Sequence, residues 1–160
     1  MTAATIHASA VLVGARALVI RGPSGAGKSR LAFELIEAAR RGVVSFARLV
    51  GDDRVHLQAA GGRLLVRPAS ALAGLIELRG VGLLRLDYEP SAVVGLVVDL
   101  GAADAERLPQ PEQQRAAIAG ISLPRLAVAP GAAALPAVLA LLNSTHYAGE
   151  DGLGTASRDA

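Results

Sequence analysis

The sequence contains no cysteine, which excludes disulfide bonds, thiolate nucleophiles and cysteine-ligated zinc. A chain without cysteine can work in a reducing compartment, and its N-terminus lacks the basic and apolar stretches of a secretion signal. The most apolar stretch, residues 126–142, is interrupted by Pro130, Gly131 and Pro136, which argues against a membrane span. We therefore expect a cytoplasmic protein that does not associate with a membrane.

Aromatic side chains are also scarce, at 2% of the residues. The core must then be packed with Leu, Val, Ile and Ala, and the stacking platforms that bind single-stranded nucleic acid are not expected. The net charge is only +2 and the arginines are scattered, so no basic patch points to nucleic acid as a partner. A length of 160 residues with 52% hydrophobic and 19% charged residues suits one globular domain.

Lysine occurs once, and that single lysine completes a motif. Lys28 stands in a segment that satisfies the pattern GxxxxGK[ST]. The apolar residues 17–20 before the segment predict a short buried strand, and Leu31, Leu35 and Ile36 after it have helical spacing. We call residues 22–29 the phosphate loop; its members are Gly22, Pro23, Ser24, Gly25, Ala26, Gly27, Lys28 and Ser29.

A strand, a glycine-rich loop and a helix in this order bind anions. The glycines let successive backbone N–H groups point inward, and the start of the helix adds partial positive charge. Lys28 can reach the terminal phosphates of a nucleotide, and the hydroxyl of Ser29 can bind Mg²⁺. A helix cap without a ligand would need neither the lysine nor so many glycines, so we predict binding of a nucleotide with Mg²⁺.

The remaining pattern predicts an α/β protein with β structure in its middle part. We expect strands at 6–13, 16–21, 48–51, 54–58, 63–67, 75–78, 83–86 and 93–98, and helices from the phosphate loop to about residue 41, at 111–119 and at 135–143. Hairpin turns are expected at residues 14–15 and 61–62. Residues 1–148 should form one domain, followed by a disordered tail at 149–160.

Phosphoryl transfer also needs a carboxylate near Mg²⁺ or near the attacking hydroxyl. Two places compete, because both the pair Asp52-Asp53 and the single Asp99 follow apolar strands. Spacing alone does not separate them, and a solvated turn carboxylate is the plain alternative for each. Adjacent aspartates offer one further possibility: Asp52 or Asp53 can hold the metal while the other takes a proton from an incoming hydroxyl.

The stretch Ile76-Glu77-Leu78-Arg79-Gly80-Val81-Gly82 alternates apolar and charged residues before a glycine pair. Glu77 and Arg79 then share one face of a strand beside a flexible loop, where an exposed ion pair is equally compatible with the pattern. His7, near the start of the first strand, also fits a half-buried structural histidine, and Arg107 is not distinguished by any pattern.

Four blocks together resemble the catalytic domain of bacterial HPr kinase/phosphorylase. In order they are His7-Ala8-Ser9-Ala10-Val11-Leu12-Val13, the phosphate loop, Val50-Gly51-Asp52-Asp53, and the stretch from Ile76 to Gly82. The likeness extends from residue 7 to about residue 143. It implies a phosphate-loop α/β fold like the phosphoenolpyruvate carboxykinase nucleotide domain, with a mixed β-sheet and flanking helices.

This resemblance also implies an activity, a partner and roles for single residues. The activity is a serine kinase that uses ATP and Mg²⁺ to phosphorylate HPr, and the family is usually a homo-oligomer, often a hexamer. The implied roles fall to residues already singled out: Asp53 as the catalytic base, Lys28 and Ser29 as phosphate and Mg²⁺ ligands, Glu77 as a second metal-associated residue beside Asp52, His7 as an active-site residue, and Arg79 and Arg107 as cations that offset transition-state charge.

The chain departs from the family pattern in three places. From the given sequence we expect a form without the N-terminal domain of the long members, similar to short proteobacterial forms, and the stretch before Asp52 is several residues longer than usual. Residues 127–133, Ala-Val-Ala-Pro-Gly-Ala-Ala, lack both arginines of a segment associated with dephosphorylation, so we expect kinase activity without reverse phosphorolysis.

Three other functions are compatible with a phosphate loop. A small-molecule kinase would carry an arginine-rich lid, which is not evident, and a GTP switch would need an Asn-Lys-x-Asp box, which the single Asn143 and the single Lys28 do not form. A nucleotide-binding regulatory protein without turnover is the remaining alternative.

Overall fold

The computed structural model describes residues 5–144. They form eleven β-strands and two α-helices, with one-turn 3-10 helices at Ser70–Leu72 and Pro111–Gln114. The strands are β1 (Thr5–His7), β2 (Ser9–Val13), β3 (Arg16–Arg21), β4 (Ala47–Gly51), β5 (Arg54–Ala60), β6 (Arg63–Pro68), β7 (Leu75–Leu78), β8 (Gly82–Arg85), β9 (Ala92–Leu100), β10 (Arg115–Ile118) and β11 (Ile121–Val128), and the helices are α1 (Lys28–Arg40) and α2 (Ala134–Asn143). The tail expected at 149–160 lies outside the described residues.

Nine of the strands form one mixed sheet around β9. Its main path runs β1-β5-β6-β9-β3-β2-β4, while β7 and β8 pair separately as an antiparallel hairpin. On one side β9 pairs in parallel with β3. On the other side it pairs first with β6, antiparallel, and then with β11, parallel, and β10 extends the sheet beyond β11. The expected α/β class, with a mixed sheet and helices packed on it, is confirmed.

Alternation along the strands divides the core between the two faces of the sheet. In β3, Leu18 and Ile20 belong to a cluster with Leu31 and Leu35 of α1, to which α2 contributes Val138. The intervening residue Val19 belongs to a second cluster, which includes residues of β5, β6 and β9.

The helices are 13 and 10 residues long, and in the part of the chain that the structure describes no helix is long and apolar enough to cross a bilayer.

The directions of three strands place three loops at one edge of the sheet. Since β3 and β4 both run antiparallel to β2, they are parallel to each other, and β9 is parallel to β3. The phosphate loop after β3, Asp52 after β4 and Gly101 after β9 therefore meet at the carboxyl edge. Because β2 runs the opposite way, its first residue, Ser9, lies at this edge as well.

The expected strand 6–13 is divided at Ala8. The N–H of Ala8 donates to the backbone oxygen of Asp53 at 3.2 Å, and the chain changes pairing partners there. β1 pairs with β5, whereas β2 pairs with β3 and β4. The hydrogen bond from Ala8 holds the junction of β1 and β2 against the acidic pair.

The prediction of a helix at 111–119 is wrong. Only Pro111–Gln114 forms a single 3-10 turn, and β10 follows, paired antiparallel with β11, a strand that the pattern did not predict. The two strands are joined by Ala119 and Gly120, both with positive φ (51° and 78°), as a two-residue hairpin turn requires. Strand pairing overrides the helix propensity of the alanines here.

Candidate active site

The phosphate loop leaves the first backbone amides of α1 available to a ligand. Gly27, the residue before the helix, has a left-handed conformation with φ 99°, and among residues 5–144 no side chain caps the helix start. A Cβ on Gly22 would lie 2.8 Å from the backbone oxygen of Leu100, so the loop passes tightly over the end of β9. These unpaired N–H groups at a helix N-terminus fit the phosphates of a nucleotide.

Lys28 lies along the loop. Its Nζ donates to the backbone oxygens of Gly22 and Pro23 at 2.8 and 3.1 Å. The ammonium group is thus held over the loop, on the side where the helix dipole favours negative charge.

Asp52 joins the phosphate loop to two other elements. Its side chain is buried, with the residue 3% exposed, and its Oδ1 accepts hydrogen bonds from Ser9 Oγ at 2.5 Å and Ser29 Oγ at 2.7 Å. Its Oδ2 accepts from the backbone N–H of Glu77 at 3.2 Å. A loop serine beside a strand-end aspartate is the pair that holds Mg²⁺ in phosphate-loop enzymes.

Glu77 and Arg79 reach this place on β7 and the turn after it. The carboxylate of Glu77 is exposed, while its N–H fixes Asp52. Arg79 Nη2 lies 3.3 Å from the position that a Cβ on Gly25 would take, so the guanidinium lies directly over the phosphate loop. The structure therefore brings Arg79 to the phosphate loop and Glu77 to Asp52, which contacts the loop through Ser29.

The donor set is suited to Mg²⁺ that also binds phosphate. Within residues 5–144 no group of three or more His, Cys, Asp or Glu side chains is placed to hold a metal. Mg²⁺, however, is usually held by one or two carboxylates together with substrate phosphates. Ser29, Asp52 and Glu77 can supply the protein ligands of such a site.

Asp53 lies beside Asp52 but turns outward. It is one of the two non-glycine residues with positive φ among those described, at 66°, and its side chain is 68% exposed. His7 Nδ1 lies 3.8 Å from Asp53 Oδ1, and Arg54 Nη2 donates to His7 Nε2 at 2.8 Å. Because a guanidinium can only donate, Nε2 is the acceptor and the proton of the neutral ring is on Nδ1, facing Asp53.

Arg107 is the one predicted site residue that the structure does not join to the others. It is exposed in the connection between β9 and β10, and it makes no hydrogen bond or ion pair with any of residues 5–144. Sequence reasoning, in turn, missed Ser9 and Arg54. Ser9 carries a weak signal as a polar residue inside an apolar strand, and Arg54 directly follows the acidic pair.

Asp99, the competing acid, is engaged elsewhere. Its Oδ1 and Oδ2 accept from Arg21 at 2.7 and 2.9 Å, and Oδ2 also accepts from Arg125 at 2.6 Å. Burial raises the pKa of the Asp99 carboxyl, but the hydrogen bonds and positive charges of the two arginines outweigh burial and hold its pKa below the ordinary value. This carboxylate is paired with two cations and not with the loop serine.

The fold and the site define a mixed α/β protein of the phosphate-loop class. A family model described as the HPr serine kinase C-terminal domain matches residues 1–139. The chain belongs to this family.

Relatives and a solved structure agree with this membership. The chain is similar to HPr kinase/phosphorylase of Streptococcus thermophilus (strain CNRZ 1066), with 38% identity over 81 residues, and of Clostridium beijerinckii, with 35% over 91 residues. These matches cover 50 and 56% of this chain but only 24 and 28% of the relatives. The structure of the Hpr(Ser) kinase/phosphatase from Coxiella burnetii matches with a TM-score of 0.69 and 23% identity over 88% of both chains, which supports the fold.

Proposed function

We propose that this chain is the catalytic domain of a cytoplasmic serine kinase that phosphorylates the phosphocarrier protein HPr with ATP and Mg²⁺. The main support is the division of the acidic pair. Asp52 is buried against Ser29, where a metal with phosphates fits, while Asp53, the next residue in the chain, is exposed. One acid can thus serve the metal and the other the incoming hydroxyl.

Each part of the site has a role in binding. The amides of the phosphate loop and Lys28 hold the phosphates of ATP. Ser29, Asp52 and Glu77 would hold Mg²⁺, which would neutralise phosphate charge. Asp52 is fixed for this role by Ser9 and by the N–H of Glu77.

The transfer itself depends on Asp53. Its carboxylate accepts the proton of the HPr serine, whose oxygen forms a bond to the γ-phosphorus as the bond to the β,γ-bridging oxygen breaks. The Nδ1–H of His7 faces Asp53 and stabilises its carboxylate in this orientation. Arg79 over the loop, and Arg107, offset the charge that develops on the transferred group.

The test is a labelling assay with purified HPr, ATP and Mg²⁺. The wild type should produce acid-stable phosphoserine on HPr, and Asp53→Asn should reduce kcat by on the order of 10² to 10⁴-fold because the base is lost. The KM for ATP should change little, since the Asp53 side chain contacts His7 and has no hydrogen bond to the phosphate loop. Asp87→Asn, which removes an exposed acid outside the site, is the control and should keep wild-type activity.

Other results would replace this proposal. If the wild type does not label HPr, the HPr kinase assignment fails. Turnover of ATP with a small-molecule acceptor would then indicate a small-molecule kinase, and ATP binding without turnover would indicate a regulatory protein. In the reverse assay, with phosphorylated HPr and inorganic phosphate, we expect no transfer of the phosphoryl group to phosphate, and hence no pyrophosphate, because residues 127–133 contain no arginine.

A further inference from the structure

Four charged side chains form a continuous network at the carboxyl edge, beside the phosphate loop. It runs from Arg21, the last residue of β3, through Asp99 and Arg125 to Asp104. Arg125 is the centre, since its Nε donates to Asp99 at 2.6 Å and its two Nη atoms donate to the two oxygens of Asp104 at 2.8 and 3.0 Å. The side chains of Arg125 and Asp99 are 13 and 15% exposed, and that of Asp104 is 47% exposed.

The network ends on the segment that carries Arg107. Residues 101–114 connect β9 to β10, and Arg125 Nη1 also donates to the backbone oxygen of Gln113 at 3.0 Å, near the other end of this segment. Gln113 Nε2 in turn donates to the backbone oxygen of Asp104 at 2.7 Å and to Glu106 Oε1 at 3.2 Å. One arginine thus holds both ends of a folded connection.

The segment also begins against the phosphate loop. A Cβ on Gly101 would lie 3.4 Å from two ring atoms of Pro23, so Gly101 lies beside the Pro23 ring. The N–H of Ala102 donates to the backbone oxygen of Val128, at the end of β11, at 2.9 Å. The position of the segment therefore depends on the sheet edge at its start and on Arg125 along its length.

We propose that Arg125 is a positioning residue that holds segment 101–114, and with it Arg107, at the carboxyl edge of the sheet next to the phosphate loop. Arginine is needed because its planar guanidinium donates in two directions at once, to Asp99 and, in bidentate form, to Asp104. A lysine could pair with only one of them in the same geometry. The role of Arg107 itself rests on the proposed kinase function, whereas the position of the segment does not.

The first test measures amide hydrogen exchange of the full chain without ligand. Asp104→Asn keeps the fold, because its side chain is half exposed, but it removes the bidentate ion pair. Peptides covering 102–114 should exchange about tenfold faster, while peptides of α1 should not change. Arg125→Lys should give the same local acceleration, and Glu112→Gln, which neutralises an exposed acid of the same segment that Arg125 does not contact, should give none. Unchanged exchange at 102–114 in Asp104→Asn overturns the proposal.

The second test asks whether the anchor acts through Arg107. In the HPr labelling assay, Asp104→Asn should lower kcat about tenfold and leave the KM for ATP unchanged, since the phosphate loop is intact. In an Arg107→Ala background the same substitution should cause no further loss. Independent, multiplying losses would overturn the link to Arg107. If wild-type protein does not label HPr at all, the proposed function fails, and hydrogen exchange alone still decides the positioning.

Discussion

Two aspartates at the same edge of the sheet, Asp52 after β4 and Asp99 near the end of β9, differ in the groups that bind them. Asp52 accepts hydrogen bonds from two hydroxyls and one backbone amide. Asp99 accepts from two guanidinium groups. Both are largely buried, so the difference is in charge and not in exposure.

Neutral donors fix a carboxylate without cancelling its charge. Asp52 is therefore positioned by groups that carry no positive charge, which suits a site for a cation. The charge of Asp99 is offset by Arg21 and Arg125, and the pair of arginines would repel each other without it. The first acid is arranged for a ligand, and the second for holding strands β3, β9 and β11 together.

The sharpest test of this contrast is metal-dependent nucleotide binding. Asp52→Asn keeps one acceptor oxygen for the serines but removes the charge. The ratio of the ATP affinity with Mg²⁺ to the ATP affinity without Mg²⁺ should therefore fall about 100-fold. Asp99→Asn should leave that ratio within about threefold of wild type, because Asp99 does not face the loop serine. Titration of a fluorescent ATP analogue with and without Mg²⁺ measures both.

The comparison would break if the two variants behaved alike. Equal loss of the Mg²⁺ effect in both would mean that Asp99 also contributes to the metal site. No loss in either would mean that phosphate oxygens and Ser29 suffice, and that Asp52 has a structural role only.

The sequence could predict the parts of this site that are local in the chain. The strand, phosphate loop and α1 are consecutive, so the motif alone located Lys28 and Ser29. The partners of Asp99 could not be read in this way, because Arg21 is 78 residues away and becomes its neighbour only through the parallel pairing of β3 with β9. Spacing alone therefore does not show whether Asp52-Asp53 or Asp99 serves the phosphate loop. The order of the strands in the sheet shows it, because that order decides which partners each acid has.

The missed strands follow from the same physical cause. Residues 115–118, Arg-Ala-Ala-Ile, have no local preference for a strand, and β10 exists because β11 lies beside it. No local pattern distinguishes Arg125 on β11 either, since its three acceptors lie on β9 and on the segment after it. The non-local pairing of β11 with β9 creates the charged network, and the hairpin turn then brings β10 beside β11.

The structural role of Asp99 predicts that its removal lowers the free energy of unfolding. Asp99→Asn leaves two partly buried guanidiniums without a full counter-charge, so the free energy of unfolding at pH 7 should fall by about 2 kcal/mol. Urea unfolding followed by circular dichroism measures it. Glu112→Gln serves as the control for removal of one negative charge and should change stability little, because its side chain is exposed. An equal loss in both variants would contradict a specific role for Asp99.

This loss should depend on pH with a definite sign. The pKa of Asp99 in the folded protein is lowered from the ordinary 3.8, so its contribution is fully present above about pH 5 and disappears as the pH falls through the lowered value. The difference in unfolding free energy between wild type and Asp99→Asn should stay constant from pH 7 to 5 and shrink below pH 4. The pKa of Asp104 is also lowered by its hydrogen bonds with Arg125, but Asp104 is present in both proteins.

The smallest expected effect concerns Ser9, which donates to the same Asp52 oxygen as Ser29. Its hydroxyl is buried and donates at 2.5 Å, so Ser9→Ala should lower the free energy of unfolding by about 1 kcal/mol. In an Asp52→Asn background the cost should be smaller, because a hydrogen bond to a neutral amide oxygen is weaker than one to a carboxylate. Ser45→Ala, at an exposed serine, is the matched control. Equal costs of Ser9→Ala in both backgrounds would show that Ser9 supports packing of β2 and not the charge of Asp52.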